Sequence, residues 1–313
     1  MAPSPTGDSS ARRYHNRRRI GDSIMSIELR QVSYTYMPGT TFERRALSHV
    51  TLTIPEGTLT AIAGHTGSGK STLVQHLNGI LHPTQGTVRV DGQNLADKGQ
   101  EAVAARQRVG MVFQYPEHQL FEETVMADVA FGPKNLGLSS EEIETRVRRA
   151  MELVRLDYDT YKNCSPFQLS GGQKRRVAIA GVLAMEPKYL ILDEPAAGLD
   201  PRGRDDLLKR IVRLHREKKM TVIFVSHNMD DIARLADRVV IMHEGEVLLD
   251  ATPRKAFQSE ALIQKAGLDT PSTVTLLKKL QAGGLSVTVD TFTIEGAVKS
   301  IEGAWRERRA KKC

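Results

Sequence analysis

The sequence predicts an α/β protein with a helical insert and a small C-terminal α+β extension, on three observations. Short β-rich runs alternate with Gly and Pro turns and one helical stretch from residue 27 to about residue 92. Strand signals fade from about residue 115 to 170, where apolar residues recur with helical spacing. Two later apolar runs, at residues 189–192 and 221–225, are typical of parallel strands buried between helices.

The individual elements follow from the same patterns. In the insert, Ser139 and Glu142 resemble a capping box ahead of an apolar helix face that includes Ile143 and Val147. A Glu244-Gly245 turn between two apolar runs predicts a closing hairpin. The predicted early strands cover residues 32–36, 51–54, 58–63 and 87–91, the early helix covers 70–79, and the hairpin covers 239–249.

The chain divides into three parts. Residues 1–24 are rich in Arg, Ser, Pro and Gly and are predicted to be disordered, as a cloning remnant, an extended start or a flexible basic arm. A targeting peptide is less favoured, because this segment has two acids and no amphipathic face. Residues 25–250 form the main domain. Residues 251–313 form an extension with helices at 254–266 and 274–281, a β run at 286–289 and a final basic helix.

Composition and charge exclude several classes of protein. The chain has 313 residues, 40% of them hydrophobic and 26% charged, which excludes collagen, a coiled coil and a wholly disordered chain. The longest apolar run is far below the ~20 residues of a membrane-spanning helix. Of the net charge of +7, all but about one unit lies in the two tails, so the excess charge bears on attraction to an anionic membrane face and not on the main domain. Two cysteines suggest a reducing compartment.

A phosphate-binding loop follows the strand at residues 58–63. The sequence GHTGSGKS at residues 64–71 satisfies G-x-x-x-x-G-K-S, with a strand before it and a helix after it. Glycine amides surround phosphate oxygens, Lys70 supplies a positive charge and the Ser71 hydroxyl ligates Mg²⁺ in such loops. An ordinary Gly-rich turn is the alternative. The predicted ATP-binding residues here are Gly64, His65, Thr66, Gly67, Ser68, Gly69, Lys70, Ser71 and Thr72.

Two carboxylates end the apolar run at residues 189–192. At the end of a buried strand, Asp193 would orient Mg²⁺ and Glu194 would accept a proton from the attacking water. Paired acids at such a position are also common as helix caps, which is the alternative when no phosphate loop is present. With the loop present, the pair indicates a nucleotide hydrolase.

The segment LSGGQ at residues 169–173 resembles the signature motif of ATP-binding-cassette (ABC) ATPases. It heads a predicted helix, where Ser170 and the amides of Gly171 and Gly172 form a second anion site. The alternative is a simple Ser-capped helix, but paired glycines favour close approach of a ligand. The resemblance implies a P-loop NTPase fold with a mixed sheet core, an antiparallel β subdomain and a helical insert at about residues 115–170.

The resemblance also implies roles for further residues. Gln114 matches the Q-loop glutamine that touches Mg²⁺ and the attacking water, and His227 matches the switch histidine that holds the γ-phosphate. Tyr36 matches the aromatic residue that stacks on adenine, with Tyr34 as the alternative. The signature of one subunit faces the ATP of its partner, so a dimer is implied. The residues predicted to bind ATP across the dimer are Ser170, Gly171, Gly172, Gln173 and Asp200.

Residues 115–125, YPEHQLFEETV, resemble more narrowly the A-prime ATPases of energy-coupling factor (ECF) importers of vitamins or metal ions. The resemblance implies ATP and Mg as cofactors. It implies a second related ATPase in a heterodimer, a transmembrane scaffold and a substrate-binding membrane subunit as partners, with no nucleic acid. The location implied is peripheral, on the cytoplasmic face of a prokaryotic membrane. Pro116, Leu120 and Phe121 are predicted to form an exposed surface for the scaffold, the alternative being that they are ordinary core residues.

Three rival functions are less favoured. An ABC protein of DNA repair would carry a long coiled coil between the loop and the signature, whereas Lys70 and Ser170 are only 100 residues apart. An ABC translation factor would carry two cassettes. Another ABC importer or exporter ATPase is the closest rival. Ala196 and the KRR at residues 174–176 depart from the usual family pattern, but neither departure touches a group that performs chemistry.

Overall fold

The computed structural model describes residues 19–20, 23–24 and 26–310. Each early strand and the closing hairpin predicted from the sequence are present, with longer bounds for most of them. The strands are β1 (Arg19–Ile20), β2 (Ser23–Ile24), β3 (Ser26–Tyr36), β4 (Arg44–Pro55), β5 (Leu59–Ala63), β6 (Gln85–Val90), β7 (Gln93–Asn94), β8 (Val109–Val112), β9 (Tyr189–Asp193), β10 (Thr221–Val225), β11 (Arg238–His243) and β12 (Glu246–Ala251).

The central sheet has six strands in the order β12-β11-β5-β10-β9-β8. The strands from β11 to β8 are parallel to their neighbours, and β12 is antiparallel to β11. Both faces of β9 are buried, because Leu190 and Leu192 join one hydrophobic core while Tyr189 and Ile191 join another. The sheet therefore lies between two packed layers, which explains why its strands are continuous apolar runs.

A second, antiparallel sheet has the order β4-β3-β6-β7. Its buried side chains, such as Ile27, Leu52 and Val88, share a core with the first helix and with one face of the central sheet. Alternation of apolar and polar residues along β4 matches burial on one face only. This sheet is the antiparallel β subdomain that the resemblance implied, and it places Tyr36 beside the phosphate loop.

Helices cover the opposite face of the central sheet and form the insert. The Ser139 hydroxyl caps the longest helix of the insert by accepting a bond from the Glu142 amide at 3.3 Å. The second half of the predicted capping box is not formed, because the Glu142 carboxylate accepts from Arg146 at 2.7 Å instead. The helices are α1 (Lys70–Leu77), α2 (Gln100–Gln107), α3 (Val125–Asn135), α4 (Ser140–Leu153), α5 (Tyr158–Tyr161), α6 (Gly171–Leu183), α7 (Pro201–Lys218), α8 (Met229–Leu235), α9 (Pro253–Gln258), α10 (Glu260–Lys265), α11 (Ser272–Ala282) and α12 (Ile294–Ala310), with 3₁₀ turns at Pro116–Gln119 and Pro166–Gln168.

The C-terminal part differs from the prediction in two places. The helix predicted at residues 254–266 is broken at Ser259, whose φ of −93° and ψ of 63° are not helical. The β run predicted at residues 286–289 is wrong, because the Thr288 amide donates to the Ser300 hydroxyl of α12 instead of to a strand. Val287 is buried there in a small core with Leu277. Apolar alternation in this segment therefore reflects packing against helices.

Most of the predicted disordered leader, residues 1–24, lies outside the described residues, as do residues 311–313 with Cys313. At the four leader positions that are described, β1 and β2 pair antiparallel with Arg19 opposite Ile24. Across the described part of the chain, every helix is too short or too polar to span a bilayer.

Candidate nucleotide-binding and catalytic site

The phosphate loop lies at the carboxyl end of β5 and leads directly into α1. Gly64 and Gly69 have φ angles of 154° and 102°, which L side chains rarely adopt. A Cβ atom on Gly64 would lie 2.4 Å from Ser68 Oγ, and one on Gly69 would lie 2.6 Å from the carbonyl oxygen of Ala46. The loop can therefore close this tightly only with glycine at both positions.

Lys70 opens α1 and reaches back across the loop. Its ammonium donates to the carbonyl oxygens of Gly64 at 2.8 Å and His65 at 2.9 Å. Burial lowers the pKa of Lys70, although Glu194 and Asp193 act in the opposite direction. A phosphate bound to the loop would supply more negative charge beside this ammonium, so the site favours an anion.

Asp193 ends β9 and lies beside the start of α1. It is only 7% exposed, and burial together with the neighbouring charge of Glu194 raises its pKa despite a hydrogen bond from Ser71. A buried carboxylate next to a second carboxylate is stabilised by a cation. The Asp193 carboxylate and Ser71 hydroxyl are the hard oxygen ligands that Mg²⁺ prefers, so the residues present fit the metal.

Glu194 and His227 face each other from neighbouring strands. Nδ1 of His227, which follows β10, lies 3.4 Å from Oε2 of Glu194, which follows β9. Glu194 has a φ of 47°, a left-handed conformation that is costly for a residue other than glycine. The turn it begins is closed by a 3.0 Å bond from the Ala197 amide to the Glu194 carbonyl oxygen. We call residues 194–197 the catalytic turn.

Gln114 follows the edge strand β8, next to β9, and is exposed. Within the described residues its side chain has no hydrogen-bond partner. The ends of β5, β8, β9 and β10 meet at one edge of the sheet, where α/β proteins bind ligands. The structure thus brings the loop, both acids, His227 and Gln114 to the same edge.

Of the two tyrosines considered for adenine stacking, Tyr36 is the more exposed. Its hydroxyl lies 3.2 Å from Oγ1 of Thr72 on α1, and 37% of the residue is exposed. Tyr34 packs edge-on against Tyr36 and His76 and contacts the core. This arrangement is consistent with Tyr36 as the stacking residue and gives Tyr34 a packing role.

The signature residues lie apart from the phosphate loop of their own chain. Ser170 caps α6, and Gln173 completes the capping box by accepting from the Ser170 amide at 2.9 Å. Gln173 therefore has a capping role within this chain, and its predicted contact with ATP across a dimer stays a prediction. A Cβ atom on Gly171 or Gly172 would meet no atom within 4 Å, so packing within the described chain does not explain these glycines.

Asp200, the other residue predicted to act across a dimer, caps α7 by accepting from the Arg202 and Gly203 amides at 3.0 Å each. Across the described residues, no hydrogen bond or ion pair joins residues 170–173 or Asp200 to the phosphate loop. Within one chain, these residues therefore make no direct bond to the catalytic edge.

The predicted membrane-facing residues divide between core and surface. The expectation that Pro116 and Leu120 are exposed is wrong, because both are buried, Leu120 in the core that includes Val125. Phe121 is 58% exposed and packs edge-on against Phe131 of α3, which is 44% exposed. Sequence reasoning missed Phe131, which lies off the buried face of α3 formed by Val125, Val129 and Pro133. We call residues 115–121 the docking segment.

Arg175 is a second residue that sequence reasoning missed. It lies on α6, is 3% exposed, and hydrogen-bonds both the docking segment and the catalytic turn. The KRR sequence at 174–176 gave no signal that its second residue points inward, because α6 is buried on more than one side.

Known proteins are similar to this chain in sequence and in fold. A family model described as ABC transporter matches residues 47–197. The chain is 53% identical over 277 residues to the energy-coupling factor transporter ATP-binding protein EcfA2 of Clostridium perfringens, covering 88% of this chain and 97% of that protein. It is 52% identical over 285 residues to the EcfA2 protein of Symbiobacterium thermophilum, covering 91% of this chain and 98% of that one.

Two solved structures share the fold. One is CbiO1 of Clostridium perfringens, described as part of the ABC transporter complex CbiONQ, with a TM-score of 0.67 and 39% identity over 80% of this chain and 98% of that chain. The other is a dimeric ATP-binding cassette in a post-hydrolysis state bound to ADP and Pi, with a TM-score of 0.64 and 31% identity over 73% of this chain and 99% of that chain.

Proposed function

The chain belongs to the EcfA2 family of energy-coupling factor transporter ATP-binding proteins, and we propose that it hydrolyses ATP to power an ECF-type importer of vitamins or other micronutrients, including metal ions. The observation that carries the proposal is the group of Lys70, Asp193, Glu194 and His227 at one edge of the central sheet. A phosphate site beside two carboxylates and a histidine is suited to hydrolysis of a phosphoanhydride.

Each residue has a distinct task in this proposal. The phosphate loop and Lys70 bind the phosphates of ATP, and Tyr36 stacks on adenine. Glu194 accepts the proton of the attacking water, and His227 holds Glu194 in position from 3.4 Å away. Ser71, Asp193 and Gln114 would hold Mg²⁺, which would neutralise charge that develops on the phosphates.

Hydrolysis requires two chains in this proposal. Ser170 and the open face of Gly171 and Gly172 bind the ATP held by a second, related ATPase subunit, with Asp200 at the same interface. The open space around both glycines supports this arrangement. The C-terminal extension contributes to dimerisation, since α12 exposes Ile294 and Trp305, which are 73% and 58% exposed.

We propose that the docking segment binds a transmembrane scaffold, which in turn carries a substrate-binding membrane subunit. The exposed aromatic pair Phe121 and Phe131 supports this, because paired aromatic rings are suited to a helix-in-groove contact. Two amides, those of Phe121 and Glu122, donate to Oδ2 of Asp128 at 3.0 Å each and fix the segment. The protein would then lie peripherally on the cytoplasmic face of the membrane.

The test is purification of the tagged chain with its membrane partners from detergent-solubilised membranes of the source bacterium, followed by ATPase assays. We expect a second ATPase and a polytopic scaffold to co-purify and ATP hydrolysis to require Mg²⁺. Phe121→Ala with Phe131→Ala should reduce recovery of the scaffold while nucleotide binding stays unchanged. Phe167→Ala, at an aromatic residue that is 60% exposed outside the docking segment, is the control. Hydrolysis by a preparation that lacks any second ATPase would contradict the heterodimer.

A further inference from the structure

Arg175 lies at the junction of the docking segment and the catalytic turn. Its Nε and Nη2 atoms donate to the two carboxylate oxygens of Glu117 at 3.0 and 2.8 Å, a bidentate pair. Its Nη1 atom donates to the carbonyl oxygens of Pro195 at 3.2 Å and Ala197 at 2.7 Å. One buried guanidinium therefore joins three segments of the chain: α6, the docking segment and the catalytic turn.

The ion pair of Arg175 and Glu117 is buried, which restrains its geometry. The side chains of Arg175 and Glu117 are 4% and 18% exposed. Burial acts to raise the pKa of Glu117, but bonding by Arg175 outweighs it and holds that pKa below its ordinary value, so the carboxylate stays charged. A buried charge that loses its partner is costly, so the two side chains move together more readily than they separate.

A second close approach brings the docking segment to Gly198, the residue after the catalytic turn. Tyr115, the first residue of the docking segment, has a φ of 54°, and its ring lies 3.5 Å from where a Cβ atom on Gly198 would lie. Gly198 follows the catalytic turn directly. The docking segment thus contacts both ends of the turn region, through Arg175 near Pro195 and through Tyr115 near Gly198.

Glu194 needs such support because its backbone is in an unfavourable conformation. A left-handed residue other than glycine persists only where its surroundings hold it, since the conformation is sparsely populated. The carbonyl groups bonded by Arg175 belong to the residues one and three positions after Glu194. Their positions fix the path of the backbone that leaves Glu194.

We propose that Arg175 is a positioning residue that, with Glu117, holds the catalytic turn in register with the docking segment. This proposal rests on the function proposed above. A shift of the docking segment by a membrane partner would move Glu117, and Arg175 would pass that shift to the turn that carries Glu194. Arg175 itself touches neither nucleotide nor water in this scheme.

The test uses the assembled transporter and three variants. Glu117→Ala cuts the contact with the docking segment while Arg175 keeps its two carbonyl bonds, and Arg175→Lys removes the bidentate fork. The double variant completes the cycle. Glu186→Ala is the matched control, because Glu186 forms an exposed ion pair with Arg149 at 2.8 Å outside the linkage.

We expect Glu117→Ala to lower kcat for ATP about tenfold with little change in KM or in recovery of the scaffold. Arg175→Lys should lower kcat at least as much, and the double variant should be no worse than Arg175→Lys alone. Additive effects, or a kcat for Glu117→Ala equal to that of Glu186→Ala, would overturn the proposal. A merely structural role would instead raise KM and reduce recovery of the scaffold together with the loss of kcat.

Hydrogen exchange provides a readout that does not depend on activity. The Ala197 amide should exchange faster in Glu117→Ala than in the wild-type protein, because the turn loses its link to the docking segment, and Glu186→Ala should leave it unchanged. Equal exchange in Glu117→Ala and wild type would refute the linkage even in an active transporter. Absence of ATPase activity in the wild-type complex would refute the proposed function, while the exchange result would still decide the linkage.

Discussion

A buried carboxyl group lies at each end of β9, but the two groups are held in opposite ways. At the start of the strand, Asp91 accepts from Tyr189 at 2.6 Å, Lys188 at 2.8 Å and Arg108 at 3.0 Å. At its end, Asp193 is bonded by the Ser71 side chain and lies beside the like charge of Glu194. The same strand therefore has one end with its charge balanced by the protein and one end with excess negative charge.

The pKa directions express this difference. Burial acts to raise the pKa of both groups, but the three donors outweigh it at Asp91 and hold its pKa below the ordinary value. At Asp193 burial and Glu194 prevail, and the pKa is raised. The stabilising interactions are therefore concentrated around Asp91, at the start of β9. Asp193, at the end of the strand, keeps an electrostatic cost that a bound metal and nucleotide would relieve.

The largest expected effect is on ATP hydrolysis and comes from changing Glu194, which follows the end of β9. Glu194→Gln should lower kcat for ATP hydrolysis by about 10²–10⁴-fold, because the amide cannot accept the proton of the attacking water. Nucleotide binding should persist, since the phosphate loop is unchanged. Steady-state ATPase assays and nucleotide titration measure the two properties. Glu186→Gln, at an exposed acid, is the control, and unimpaired turnover by Glu194→Gln would exclude Glu194 as the base.

The next largest effect is on stability and comes from changing Asp91, at the start of β9. Asp91→Asn should lower the free energy of unfolding by about 2 kcal/mol, because a neutral amide bonds Lys188 and Arg108 more weakly than a carboxylate does. The loss is limited to this size because Arg108 is partly exposed, and solvent screens its interaction with Asp91. Asparagine tolerates the left-handed φ of 51° at this position, so backbone strain does not confuse the result. Chemical denaturation at neutral pH measures the change.

The same variant tests the sign of the pH dependence. Because the pKa of Asp91 is lower in the folded state, its contribution is present above the unfolded value of about 3.9 and is lost as pH falls through the folded value. The difference in stability between wild type and Asp91→Asn should therefore shrink in acid. A difference that grows in acid would show that the Asp91 bonds do not stabilise the fold.

The two ends of β9 also differ in how much of their structure the sequence alone could predict. The strands, the phosphate loop and the pair Asp193 and Glu194 are local patterns, so a few neighbouring residues suffice to predict each of them. The bond from Tyr189 to Asp91 joins residues 98 positions apart, and that from Arg175 to Glu117 joins residues 58 apart. Side-chain partners at such separations depend on how elements pack, and a single sequence carries no periodic signal for them.

Burial in the docking segment was mispredicted for a similar reason. Pro116, Leu120 and Phe121 are all apolar and close together, so composition alone could not separate them. The structure turns Leu120 into the core and leaves Phe121 outside, because the 3₁₀ turn at Pro116–Gln119 sets which side of the chain faces inward. The exposed apolar surface is therefore smaller than predicted and extends instead to Phe131.

A smaller effect of opposite sign is expected at Asp193. Asp193→Asn should raise the stability of the nucleotide-free protein by about 1 kcal/mol, because it removes a buried charge whose ionisation is disfavoured. Since the folded pKa is raised, wild-type stability falls as pH rises through the unfolded and then the folded value, and the asparagine variant should lack this fall. Thermal unfolding across pH, without and with Mg²⁺ and ATP, measures both. Lower stability of the variant without nucleotide would contradict the comparison.

The smallest expected effect comes from removing one of the three hydrogen-bond donors to Asp91. Tyr189→Phe deletes only the hydroxyl that bonds Asp91, and the ring remains fully buried, so about 0.5–1 kcal/mol of stability should be lost. Lys188 and Arg108 still bond the carboxylate, so its pKa should stay below the ordinary value but less far below it. The acid loss of stability should then be smaller and should end at a higher pH than in the wild type, because the folded pKa sets where the loss ends. If the pH at which the loss ends were unchanged, the two cations alone would balance Asp91, and the tyrosine hydroxyl would contribute to packing only.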